Sequence, residues 1–229
     1  LPGTNLVLDF VGAEGSLIEA QASMSLDAFG LVTLDGTFAF RKASGQFQTE
    51  GGTPFTADYL AIGATIDGAF VGVNGLGLSL GDDTDDADNV EVGILLVTDA
   101  GGTKYTAVKA SASAEFTGIP GLEAVVTSAT LAINKTSDTA PSAPVLDFNP
   151  STFALPGTNL VLDFDGADGS LIEAQASMSL DAFGLVTLDG TFAFRKASGQ
   201  FQTEGGTPFT RSEERRVGKV GRSRGWQEA

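Results

Sequence analysis

Cysteine and histidine are both absent from this 229-residue chain. Without cysteine there is no disulfide and no thiolate metal site. Without histidine the commonest general base and the commonest transition-metal ligand are missing. Basic residues are few: 13 Lys and Arg stand against 29 Asp and Glu, a net charge of −16. That balance argues against nucleic acid and anionic membrane as partners, because both call for clustered positive charge. No apolar run approaches the ~18 residues of a membrane-spanning helix, and membrane insertion is not expected. The hydrophobic content of 42% is nevertheless enough for a sizeable core, and glycine is abundant at 30 residues.

The chain is internally repeated. Residues Leu1–Thr56 return as Leu155–Thr210 with 54 of 56 positions identical, at an offset of 154. Only Val11 against Asp165 and Glu14 against Asp168 differ. Such self-similarity is the signature of a tandem array, here a window holding one period and about a third of the next. Leu1 is not a start methionine, which reads as a fragment edge.

The copies diverge after Thr56 and Thr210. The first continues Ala57-Asp58-Tyr59-Leu60, whereas the second continues Arg211-Ser212-Glu213-Glu214-Arg215-Arg216-Val217-Gly218-Lys219. The last 19 residues hold 6 of the 13 basic groups and the lone tryptophan, Trp226. Arg211–Lys219 resembles the translation of a common short-read sequencing adapter, AGA-TCG-GAA-GAG-CGT-CGT-GTA-GGG-AAA. Residues 211–229 are therefore expected to be a non-native tail. A genuine basic tail is the competing reading. The source DNA across Thr210 decides between them.

Period-2 alternation dominates the rest. From Ile18 to Phe40 the even positions include Ile18, Ala20, Met24, Leu26, Leu34 and Phe38. The odd positions include Glu19, Gln21, Ser23, Asp27, Thr33 and Arg41. Alternate residues of a strand face opposite sides, so the even set is expected to point inward. Gly30 and Gly36 should mark turns or bulges, since one uninterrupted strand would be too long. Val108, Ala110, Ala112 and Ala114 repeat the pattern and imply a thin, close-packed layer. Tyr59-Leu60-Ala61 aligns with Tyr105-Thr106-Ala107 at an offset of 46, and Gly51-Gly52-Thr53 with Gly101-Gly102-Thr103. Paired glycines suit tight hairpin turns. The expectation is an all-β fold of repeated antiparallel meanders, forming an elongated β-sandwich or a solenoid-like stack. Asn134–Pro144 is rich in Pro and Ser and reads as a linker region. Residues 1–136 then form an N-terminally truncated repeat unit, 137–144 the linker, and 145–210 the start of a second, truncated unit.

The best site candidate is the acidic run Asp82, Asp83, Asp85, Asp86 and Asp88, whose carboxylates are the hard ligands calcium prefers. Its spacing fails the EF-hand pattern, and a solvated loop explains it equally simply. Gly72-Val73-Asn74-Gly75-Leu76-Gly77 lacks the context of a phosphate loop and reads as a turn. Asn134-Lys135-Thr136 fits a glycosylation acceptor but also a strand end. Asp27 with Asp35 could supply paired-carboxylate chemistry, yet both fall on the polar side of the alternation. No catalysis and no cofactor other than calcium is expected.

The stretch from Tyr105 through Ala114, then Phe116-Thr-Gly-Ile-Pro-Gly-Leu122 and Leu131-Ala-Ile-Asn134, resembles the tandem β-repeat regions of giant bacterial secreted or surface proteins. The resemblance covers roughly 1–210. It implies an extracellular or cell-surface location and an adhesin-like or structural role, beside neighbouring repeats and a surface ligand bound elsewhere in the protein. The alternative is a calcium-tuned, non-catalytic ligand-binding module attached to a secreted enzyme or toxin.

Overall fold

The computed structural model describes residues 15–81, 90–140, 142–149, 151–201 and 209–220, with side chains through Ala197. Twelve strands and a one-turn 3-10 helix (Gly166–Asp168) make up the secondary structure, with no α-helix among the described residues. The strands are β1 (Ile18–Ala28), β2 (Val32–Phe47), β3 (Phe55–Val73), β4 (Leu76–Leu80), β5 (Val90–Thr98), β6 (Lys104–Thr117) and β7 (Leu122–Thr136), followed by β8 (Phe153–Ala154), β9 (Val161–Leu162), β10 (Leu171–Ala182), β11 (Val186–Phe201) and β12 (Phe209–Val220). The fold is the antiparallel meander that the alternation predicts. One sheet runs β1-β2-β3-β4-β6-β7-β10-β11-β12, and β5 lies in line with β4 between β3 and β6. Strands β3 and β6, related by the 46-residue offset, flank β5 symmetrically.

Glycine places the turns. The β1–β2 connection is a three-residue turn, Phe29–Leu31, in which both Phe29 (φ 60°) and Gly30 (φ 66°) have positive φ. Asn74 (φ 53°) and Gly75 (φ 78°) turn β3 into β4, the Asn-Gly pair that such hairpins favour. Gly36 sits at a bulge, where the β2–β3 register shifts between Asp35 and Gly36. The glycine pairs close turns through hydrogen bonds from Gly52 N to Thr49 O and from Gly102 N to Asp99 O.

The expected inward face is not the covered one. Ile18, Met24, Leu26 and Phe40, all in the even set, are exposed. The core lies on the opposite face, in its lower half, where Ala57, Ala61, Leu95, Val97, Tyr105 and Ala107 are buried. Its lid is the segment 145–164, which supplies Val145, Leu146, Phe148, Leu155, Leu162 and Phe164. Strands β8 and β9 pair within this segment and form a small second sheet, so the sandwich is local. Small residues on the sheet let the lid approach, and large apolar residues of the lid fill the space. Each fully buried leucine contributes about 1.5–3 kcal/mol.

Two glycines make that approach close. Gly63 and Gly93 are direct cross-strand partners. A Cβ at Gly63 would stand 1.8 Å from Pro156 O, and one at Gly93 would stand 2.1 Å from Leu155 Cδ1. Polar ties fix the lid. Glu91 Oε1 accepts from Asn159 N at 2.6 Å, and Thr65 Oγ1 donates to Gly157 O at 2.8 Å. Asn134, 1% exposed, donates through Nδ2 to Leu146 O at 2.7 Å. It is a buried strap at the end of β7, not an accessible acceptor for glycosylation. Burial pushes the Tyr105 phenol above its ordinary range, and Asp99 adds to the shift. The stability this carries is expected to be complete below the ordinary phenol range and lost as pH climbs through the raised value.

The lid begins where a second repeat unit was expected to begin, yet it packs on the sheet of the first. Strand β10 then pairs with β7 from Leu171↔Asn134 to Ala182↔Leu122. At the far edge, β12 lies beside β11 with Gly190↔Val220 and Phe201↔Phe209, where β3 lies beside β2 with Gly36↔Ile66 and Phe47↔Phe55.

Candidate interaction surface

The acidic run Asp82, Asp83, Asp85, Asp86 and Asp88 lies outside the described residues. Its stems are placed: Leu80 is opposite Ala69 and Val90 opposite Ile66 on β3. Beside them, a shallow groove of about 690 Å³ on the polar face is lined by Asp35, Ser79, Glu115 and Thr127 among others. Asp27 is used structurally, because its Oδ1 accepts from Gly30 N at 2.8 Å and holds the β1–β2 turn.

A second acidic group was invisible to sequence reasoning. Glu50, Asp147 and Asp165 bring one carboxylate oxygen each within 4.8 Å of the others. They come from the β2–β3 turn, the lid and the residue before the 3-10 helix. Two of them already have structural work. Asp147 Oδ1 accepts from Asn149 N at 3.0 Å and Gly166 N at 3.2 Å, while Asp165 Oδ1 accepts from Ala167 N at 2.9 Å. These N–H groups offset the crowding of like charges, and the cluster does not by itself make a cation site.

A further surface feature is the face of the sheet left uncovered among the described residues. Because the registers preserve the alternation, its apolar residues align in rows across strands. One row runs Phe40, Ile62, Ile94, Val108, Ile133 and Ile172. Another runs Leu34, Ala69, Leu80, Ala114, Val126 and Met178. Both bulges keep the rows intact: the shifts at Asp35/Gly36 and at Ala112/Ala114 change which parity of the next strand faces this side. Contiguous apolar patches of this kind mark interaction surfaces. An apolar dye such as anilinonaphthalene sulfonate is expected to fluoresce with the folded chain. The double change Ile62→Ser with Ile94→Ser should dim it at a cost of about 1.5–3 kcal/mol, because each side chain is only about half-buried. A dark native chain would show the face to be covered.

The second feature is an edge. Strand β1 pairs with β2 only, and its outer side meets no strand among the described residues. At its tip stands Phe29, 98% exposed and in the left-handed region. That conformation costs a bulky residue about 1–2 kcal/mol. No family model, characterised protein or solved structure matches this chain.

Proposed function

We propose that the chain is a structural or adhesive repeat module of a large extracellular bacterial protein and performs no catalysis. Its task is to join successive repeats into one rigid sheet that presents a ligand-binding part located elsewhere. The observation that carries this reading is the β7–β10 ladder, in which a strand of the first copy pairs along its length with a strand of the second. The extracellular setting rests on the resemblance to bacterial surface repeats.

Hydrogen exchange tests it. Amides of the β7–β10 ladder are expected to exchange roughly a hundredfold more slowly than the outward-facing amides of β1, as sheet interiors do relative to fraying edges. Equal rates in both places would mean that the copies are independent, and the reading would fail. Calcium separates this reading from the ligand-module alternative. A structural sheet keeps its thermal midpoint on calcium addition, whereas a calcium-tuned module gains stability by binding.

A further inference from the structure

We propose that the free edge of β1 is a docking site for the β7 strand and preceding turn of another copy of this repeat, the copy that comes before it. This rests on the repeat-module reading above and adds the joint by which the sheet is extended. The twelve residues from Leu17 are identical to the twelve from Leu171. One set, β10, is hydrogen-bonded on both sides, to β7 and to β11. The other, β1, is bonded on one side only among the described residues. Identical residues are therefore seen in a filled and an unfilled joint within one molecule.

The side chains report the difference. Met178 is 38% exposed but Met24 is 54%. Leu171, opposite Asn134 in the register, is buried in the core cluster, while Leu17 is only half-buried. The turn residues differ most. Phe183 N donates to Gly121 O, and the Phe183 ring lies so close that a Cβ on Gly121 would stand 2.9 Å from its Cδ1. Phe29 adopts the same left-handed conformation at 98% exposure. The strained aromatic packs on a turn in the second copy and has no such partner among the described residues in the first. The edge is also lightly defended. Natural edge strands carry charged side chains (lysine above all), proline or a bulge against pairing, and Ile18–Ala28 has two carboxylates, Glu19 and Asp27, but no Lys and no Pro, and pairs with β2 without a register shift. The apolar rows would continue across the joint, as Ile133 beside Ile172 and Val126 beside Met178 continue them now.

The occupant's register follows by subtraction of 154. Ile18 would face an Ile133, Ala28 a Leu122, and Asp27 a Glu123, since Asp181 faces Glu123 in the filled joint. The last pair sets two carboxylates opposite each other, which is unfavourable. It makes the register testable.

The probe is a synthetic peptide of residues Ile119–Thr136 added to the whole chain. Saturable binding is expected, with exchange slowed at alternate amides of Ile18–Ala28. A Glu123→Lys peptide should bind up to about fivefold more tightly, because the like-charge pair with Asp27 becomes an attractive one. A Thr130→Pro peptide should not bind, since Thr130 faces Gln175 in the filled joint and the change loses a ladder donor. Phe29→Gly in the chain should weaken binding without lowering the stability of the chain alone. Cysteine-free, the chain also permits a cross-link test: Ser23→Cys should form a disulfide with a Ser128→Cys peptide and not with a Thr136→Cys peptide. Unchanged β1 exchange, or a Glu123→Lys peptide no tighter than the original, overturns the proposal. If β1 is unaffected while the β7–β10 ladder is protected, the docking inference alone falls. If that ladder is itself unprotected, the repeat-module reading falls with it.

Discussion

Leu146→Ala is expected to cost about 2–5 kcal/mol, the range for emptying a well-packed leucine site. Leu146 is 1% exposed and lies in the cluster that joins lid to sheet. Its backbone is held on two sides, by the bridge to Thr49 and by the hydrogen bond from Asn134. The site therefore has little freedom to collapse around the missing atoms, which pushes the expected cost toward the upper end. Urea unfolding should show a lowered midpoint with an unchanged slope. A loss below about 1 kcal/mol would mean that the lid does not pack as described.

Gly63→Ala should be nearly as damaging, for the opposite reason. The added methyl meets a backbone carbonyl, Pro156 O, which no side-chain rotation can move. The cost is expected to reach or exceed the ~1–3 kcal/mol typical of overpacking. Gly93→Ala offers an internal comparison, because its methyl meets the end of the Leu155 side chain, which can turn aside. Gly63→Ala should thus be the more destabilising of the two. It should also open the chain to protease between 137 and 164, where the lid lifts. Equal effects, or none at Gly63, would show that the lid stands farther from the sheet.

The strands and turns were legible because their causes are local. Alternation from Ile18 to Phe40, the bulge at Gly36 and the Asn74-Gly75 turn each follow from a few adjacent residues. The choice of covered face was not legible. It depends on a lid arriving from about a hundred residues away, and on alanines at 39, 43, 57 and 61 that look unremarkable in sequence. The larger side chains at Phe38, Phe40 and Ile62 make the other face look like the interior, yet no lid reaches it among the described residues. Gly63 and Gly93 were missed because a glycine inside a strand does not reveal what approaches it. Glu50, Asp147 and Asp165 were missed because only the lid brings them together, whereas the run from Asp82 to Asp88 drew notice by adjacency alone.

The shared slot of β4 and β5 has a consequence for an array. One period occupies six strand positions, from β1 to β7, before the pattern restarts at β10. At about 4.8 Å per strand, a period advances only about 29 Å. The longest strand, β3 with 19 residues, spans about 63 Å. Successive copies would thus build a ribbon broader than its own repeat length, growing across its strands. Strand-to-strand twist of about −20 to −25° turns that ribbon by roughly a third of a revolution per period. After about three periods the uncovered apolar face would point the same way again, a helical stripe winding around the ribbon in place of a flat wall.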